Sequence, residues 1–89
     1  MLKKSEIDEI IKIAIKEILD NSEHFNLESF FIGPESIVES IDIVQIIAFV
    51  EDNLEEKGFE GLDFLEKIFE HKSLKFSDFA DLIQSEINS

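Results

Sequence analysis

The stretch of this chain whose residue types could support chemistry is Glu39-Ser40-Ile41-Asp42-Ile43-Val44. Carboxylates around one hydroxyl, with aliphatic groups between, make neither a metal set nor a catalytic triad, so the chemistry depends on where the hydroxyl sits. The apolar residues that follow (Ile46, Ile47, Phe49, Val50 and Leu54) have mostly helical spacing, which places Ser40 at a helix start. The first turn of a helix leaves backbone N–H groups unpaired at the positive end of its dipole. A phosphate esterified to the Ser40 oxygen is stabilised there as any anion would be. The plainer reading is an N-cap, the usual role of Ser at a helix start.

Other constellations carry less. His24 and His71 stand beside charged residues in expected loops, and no spacing ties them to a Ser and an Asp as a triad. The acidic residues lack the calcium-loop pattern with its central Gly. With no Cys there is no disulfide framework, zinc-thiolate site or thiol nucleophile. The expectation is a protein with no catalytic activity of its own and no bound metal.

The elements that must hold Ser40 in place are legible as helices. A first helix from about Ser5 to Asp20 carries Ile7, Ile10, Ile11, Ala14, Ile18 and Leu19 on one stripe, with Ser5 and Asp8 forming a capping box. A long loop from Asn21 to about Glu39 contains Gly33-Pro34 and seven apolar residues, among them Ile37 and Val38, that should pack over the helices. The second helix runs from Ser40 to before Gly58, where a left-handed terminus fits. Its apolar positions cover more than one face, so it is either central in the core or presents apolar groups to a partner. Glu51, Asp52, Glu55 and Glu56 load its C-terminal half against the dipole, a local cost that points to another use. A short helix from about Leu62 to Glu70, a connector from His71 to Lys75, and a last helix capped by Ser77 complete the chain. No strand with clean alternation is found. The fold class is all-α, a four-helix bundle with a long loop between helices 1 and 2 and a short third helix, in a single domain spanning residues 1–89.

Charge narrows the partners. Asp and Glu number 21 against 8 Lys, there is no Arg, and the net charge is -13. Such a surface repels nucleic acid and anionic lipid, steers toward basic proteins and favours a monomer. No apolar run approaches the roughly 18 residues that cross a bilayer, so no membrane insertion is expected. Lys3 and Lys4 are followed by Glu6, Asp8, Glu9 and Lys12, which interrupt the apolar centre a signal peptide needs, and the expected location is cytoplasmic.

Glu39-Ser40-Ile41, followed by the run from Asp42 to Asp52, resembles the acyl carrier protein family, in which an Asp-Ser-Leu triplet opens the second helix of a four-helix bundle. The first helix, the long loop with Ile32-Gly33 before the Ser and the two C-terminal helices fall in the same order, so the resemblance covers almost the whole chain. It implies that Ser40 receives 4'-phosphopantetheine from coenzyme A through a separate magnesium-dependent phosphopantetheinyl transferase. The arm's thiol then holds an acyl or aminoacyl group as a thioester. It further implies docking of acyl-transferring or acyl-activating enzymes, whose basic patches meet Glu39, Asp42, Glu51 and Asp52 while Ile41 and Val44 supply apolar contacts. The plainer readings are solvated surface for the acidic residues and core for Ile41 and Val44. In the family the bundle interior can shelter an acyl chain; Phe49, Phe64 and Phe79 are candidates for that lining, or for packed core.

Three departures argue for a specialised lipid, polyketide or related pathway rather than housekeeping fatty acid synthesis. Glu39 stands where Asp is usual, Gln45 where many fatty-acid carriers have Glu, and Ile37-Val38 precede the triplet. The alternative from another class is a small acidic helical interaction protein, of the immunity or inhibitor type, that masks a basic partner surface. It needs no modifiable Ser.

Overall fold

In the computed structural model, which describes residues 2–88, the first helix, α1, spans Lys4–Ile18. Met1 and Ser89 of the expected 1–89 domain lie outside the described residues. Ile7, Ile10, Ile11, Ala14 and Ile15 form the buried stripe of α1. Of the positions expected there, Leu19 is buried just past the helix end and Ile18 is half-buried. Ser5 lies inside the first turn rather than capping it. The N-cap is Lys3, whose backbone N–H donates to the Glu6 carboxylate at 3.2 Å, because that carboxylate sits the three residues ahead that such a bond requires.

The second helix, α2, spans Ser40–Glu56 and buries Ile43, Ile46, Ile47, Val50 and Leu54. It ends at Gly58, whose φ of 97° lets Phe59 N–H turn back to Leu54 O at 3.0 Å. The third, α3, is only Leu65–Phe69, shorter at its start than the Leu62 expectation. Gly61 has positive φ, and Phe64 N–H is taken by the Glu51 carboxylate at 2.8 Å, so the segment before Leu65 is drawn to α2 instead of coiling. The last helix, α4, spans Phe76–Ile87, with Lys75 rather than Ser77 as N-cap and the Asp78 carboxylate closing onto Lys75 N–H at 3.0 Å.

Among the described residues the α-helices are four, as expected, but the fold is not purely helical. Phe30–Ile32 (β1) pairs antiparallel with Leu74–Lys75 (β2), in the registers Phe30 to Lys75 and Ile32 to Leu74 with an irregularity between them. Phe76 N–H to Ser29 O at 3.0 Å and Ser77 N–H to Leu27 O at 2.8 Å continue the contact into α4. The strands escaped detection because three and two residues are too few to show alternation. Gly33, with φ 123°, passes so close to this segment that a Cβ on it would lie 2.6 Å from Ser73 Cβ.

One core joins the layers. Helix α1 packs against both α2 and α4. Among the aromatics Phe31 stacks on Phe76 and Phe79, with ring centroids at 4.8 and 5.3 Å, and Phe64 meets Phe79 edge-on at 6.0 Å. Phe64 and Phe79 are fully buried in this cluster and Phe49 is half-buried beside it. The radius of gyration, 12.0 Å, is that of a single folded unit of this length. At the rim, Lys4 pairs with Asp81 at 2.9 Å, and this hydrogen bond holds the ammonium pKa above its ordinary value. Lys67 pairs with Glu86. Among the described residues no helix is long and apolar enough to cross a membrane.

Candidate functional site

The loop reaches α2 through a brace of hydrogen bonds. Ser36 Oγ donates to Phe31 O at 2.8 Å and accepts from Val38 N–H at 3.1 Å, while Ser36 N–H donates to Gly33 O at 3.0 Å. Val38 is thereby turned into the core and its neighbour Ile37 out of it, 73% exposed. Both were expected to pack. In extended backbone adjacent side chains point to opposite sides, so an Ile-Val pair there can bury only one.

Glu39 is the N-cap of α2, with extended backbone (φ -72°, ψ 152°), and its carbonyl accepts from Ile43 N–H at 3.0 Å. Ser40 is therefore the first residue of the helix proper, not the cap. Its side chain is exposed, and among the described residues its hydroxyl has no hydrogen-bond partner. Asp42, half-buried, occupies the third helical position, where a carboxylate can fold back onto the cap, yet it makes no hydrogen bond among the described residues either. The positive end of a 17-residue helix is thus left without a carboxylate lid, next to a free hydroxyl.

Ile41 is 63% and Val44 45% exposed, so both leave the core to Ile43, Ile46 and Ile47. With Ala48, Asp52 and Glu55 they form a single exposed stripe at three- and four-residue spacing, apolar beside Ser40 and acidic toward Gly58. At about 1.5 Å per residue it runs roughly 21 Å along the helix. Glu51 lies off this stripe, and one of its oxygens is engaged in tying α2 to the start of α3 at Phe64. Its sequence position gave no sign of that, since the partner lies 13 residues on and is a backbone group. Glu39, exposed, and Asp42 border a depression of about 240 Å³ whose far wall includes Leu19, Asp20 and Phe25.

Comparison with protein-family models, with curated proteins and with solved structures finds no match.

A free Ser hydroxyl needs a base within hydrogen-bonding reach to act as a nucleophile on its own, and among the described residues none is bonded to Ser40. His24 and His71 are both exposed, in a short 3-10 turn and in the α3–β2 connector, and His24 lies 3.7 Å from Glu23. Among the described residues no group of His, Asp and Glu could hold a metal ion.

Proposed function

We propose that this chain is an acyl-carrier-like domain that bears 4'-phosphopantetheine on Ser40 and presents acyl or aminoacyl cargo to partner enzymes. The observation that carries the proposal is the Ser40 hydroxyl itself, exposed and unpartnered at the uncovered positive end of α2. The residues fit the group: nothing in the fold competes for the oxygen, and the first-turn N–H groups favour a phosphate diester there. In the attachment, Ser40 Oγ forms a bond to the β-phosphorus of coenzyme A, the pyrophosphate P–O bond breaks, and 3',5'-ADP leaves. The hydroxyl proton passes to a base of the transferase. Once attached, the group supplies a thiol that holds the cargo as a thioester.

The stripe from Ile41 to Glu55 supports the docking part of the reading. Ile41 and Val44 offer apolar contact beside the attachment point, and Asp52 and Glu55 offer charge to Lys or Arg on the partner. Asp42 and Glu39 add charge at the site, and Glu51 contributes less because it is already engaged. The acidic surface speeds encounter with basic partners at low salt more than at high salt.

Intact mass tests the proposal directly. Incubation with coenzyme A, magnesium and a broad-specificity phosphopantetheinyl transferase is expected to add one phosphopantetheine to the wild type and none to Ser40→Ala. No addition with several transferases would sink the carrier reading. The acidic interaction protein would then remain, and Ser40→Ala would leave its partner binding intact.

A further inference from the structure

A second depression, of about 230 Å³, shares Phe25 as a lining residue with the one beside Glu39. Its floor is apolar, formed by Ile15 of α1 and by Phe25, and Lys12 and Lys16 stand on its α1 rim. Four residues apart, the two ammonium groups project from one face of the helix. In a chain of 21 acidic residues and 8 lysines most cations could find a carboxylate, and Lys4, Lys67 and Lys75 do. Lys12 and Lys16, like Lys3, Lys57 and Lys72, have no ion-pair partner among the described residues, and Lys12 and Lys16 line one depression together. Across the depression Glu23 lies 3.7 Å from His24 Nε2, and Asn26 offers an amide. Two unpaired cations against one carboxylate, over an apolar floor and beside an amide, leave the depression with a net positive lining that suits a ligand with a short hydrocarbon body and one carboxylate head.

We infer that this groove binds a short- to medium-chain aliphatic carboxylate from solution, its head between Lys12 and Lys16 and its body on Ile15 and Phe25. The volume is below that of sites for drug-sized ligands, which start at about 300 Å³, so the ligand is small. The acidic remainder of the surface repels such an anion, which leaves the lysine pair as the place where charge complementarity and apolar area coincide. Because Phe25 also walls the depression bordered by Glu39 and Asp42, occupancy of the groove has a direct route to the surroundings of Ser40.

Titration of the unmodified protein with sodium octanoate, followed by backbone amide NMR shifts, tests this without any use of the Ser40 hydroxyl. Saturable shifts are expected at Lys12, Ile15, Lys16 and Phe25, with smaller ones at Glu39 and Asp42. The double variant Lys12→Gln, Lys16→Gln should bind roughly three- to tenfold more weakly, the effect of losing partly exposed ion pairs. Raised salt should weaken the wild type toward the variant. Octylammonium, with the same body and the opposite head, should give no saturable shift in the groove. Equal binding of octanoate by the double variant, equal binding of octylammonium, or shifts centred on the exposed Ile37, Ile41 and Val44 would each overturn the inference. Since both lysines are exposed, the variant is expected to fold, and an unchanged amide spectrum in the absence of ligand verifies it.

Discussion

Three helix starts in this molecule are built from similar parts and finish differently. Helices α1 and α4 each begin after a lysine N-cap whose N–H is taken by an acid three residues on, Glu6 for Lys3 and Asp78 for Lys75. Helix α2 has the same arrangement, Glu39 with Asp42 three residues on, but there the carboxylate stays off the cap. The first two starts thus satisfy an orphan N–H internally and place a negative charge on the positive end of the dipole. The α2 start keeps its dipole end and its hydroxyl facing outward, and two exposed aliphatic side chains, Ile41 and Val44, share the same two turns. A chain able to close two of its helix starts leaves open the one that carries the candidate attachment residue.

The largest expected effect separates the two faces of α2. Ile47→Ala should cost about 2–5 kcal/mol, because Ile47 is 2% exposed in the core, whereas Ile41→Ala should stay within about 0.5 kcal/mol. Similar denaturant midpoint shifts for the two would mean that the exposed stripe is assigned to the wrong face.

Next comes the support of the open start. Gly33→Ala places a Cβ on a residue with φ 123° and against Ser73, with about 1–3 kcal/mol of backbone strain before Ser73 moves. Denaturation should register the loss, and hydrogen exchange should show it concentrated at residues 30–40 and 72–76. A stability equal to wild type would mean that the close Gly33–Ser73 approach does not hold the segment leading to Ser40.

A smaller effect compares closed with open directly. Asp78→Ala should cost about 1 kcal/mol for the lost charged acceptor at Lys75 N–H. Asp42→Ala should lose only its share of the dipole interaction, about 0.3–1 kcal/mol, and that loss should shrink in salt. If Asp42→Ala costs more than Asp78→Ala, the α2 start is capped in solution and the contrast disappears. Smallest of all is Ser40→Ala, expected to change stability by less than about 0.5 kcal/mol and toward greater stability, since Ala is the better helix former and no hydrogen bond is lost. A destabilisation above about 1 kcal/mol by thermal unfolding would show the hydroxyl working as a cap.

The number and order of helices were legible because Ile-rich stripes at helical spacing and the glycine at 58 are strong local signals. The caps expected at Ser5 and Ser77 lie two residues past those observed: Ser5 with Asp8 fits the acid-at-third-position rule as well as Lys3 with Glu6 does, and at Ser77 the preference for Ser as a cap hid the Lys75–Asp78 pair. The β1–β2 pair, the Phe31 stack and the Glu51 tie to Phe64 were not legible at all. Each is a contact between segments far apart in the chain, and residue spacing carries no information about those. At the candidate site, Ser40 as the opening residue of α2 could be read from the pattern. The outward turn of Ile37 and the absence of a lid from Asp42 depend on backbone direction, which the pattern does not encode.

The pairing of Phe30–Ile32 with Leu74–Lys75 also has a consequence for the order of events during synthesis. The segment that leads into Ser40 gains its partner strand only after the chain through Lys75 has emerged. Such nonlocal closure is slower than the formation of any of the helices. A nascent chain ending before β2 would therefore hold Ser40 on an unanchored loop. The finished geometry around this hydroxyl is reached only once Leu74–Lys75 has paired, and an enzyme that reads that geometry can discriminate folded chains from those still lacking the second strand.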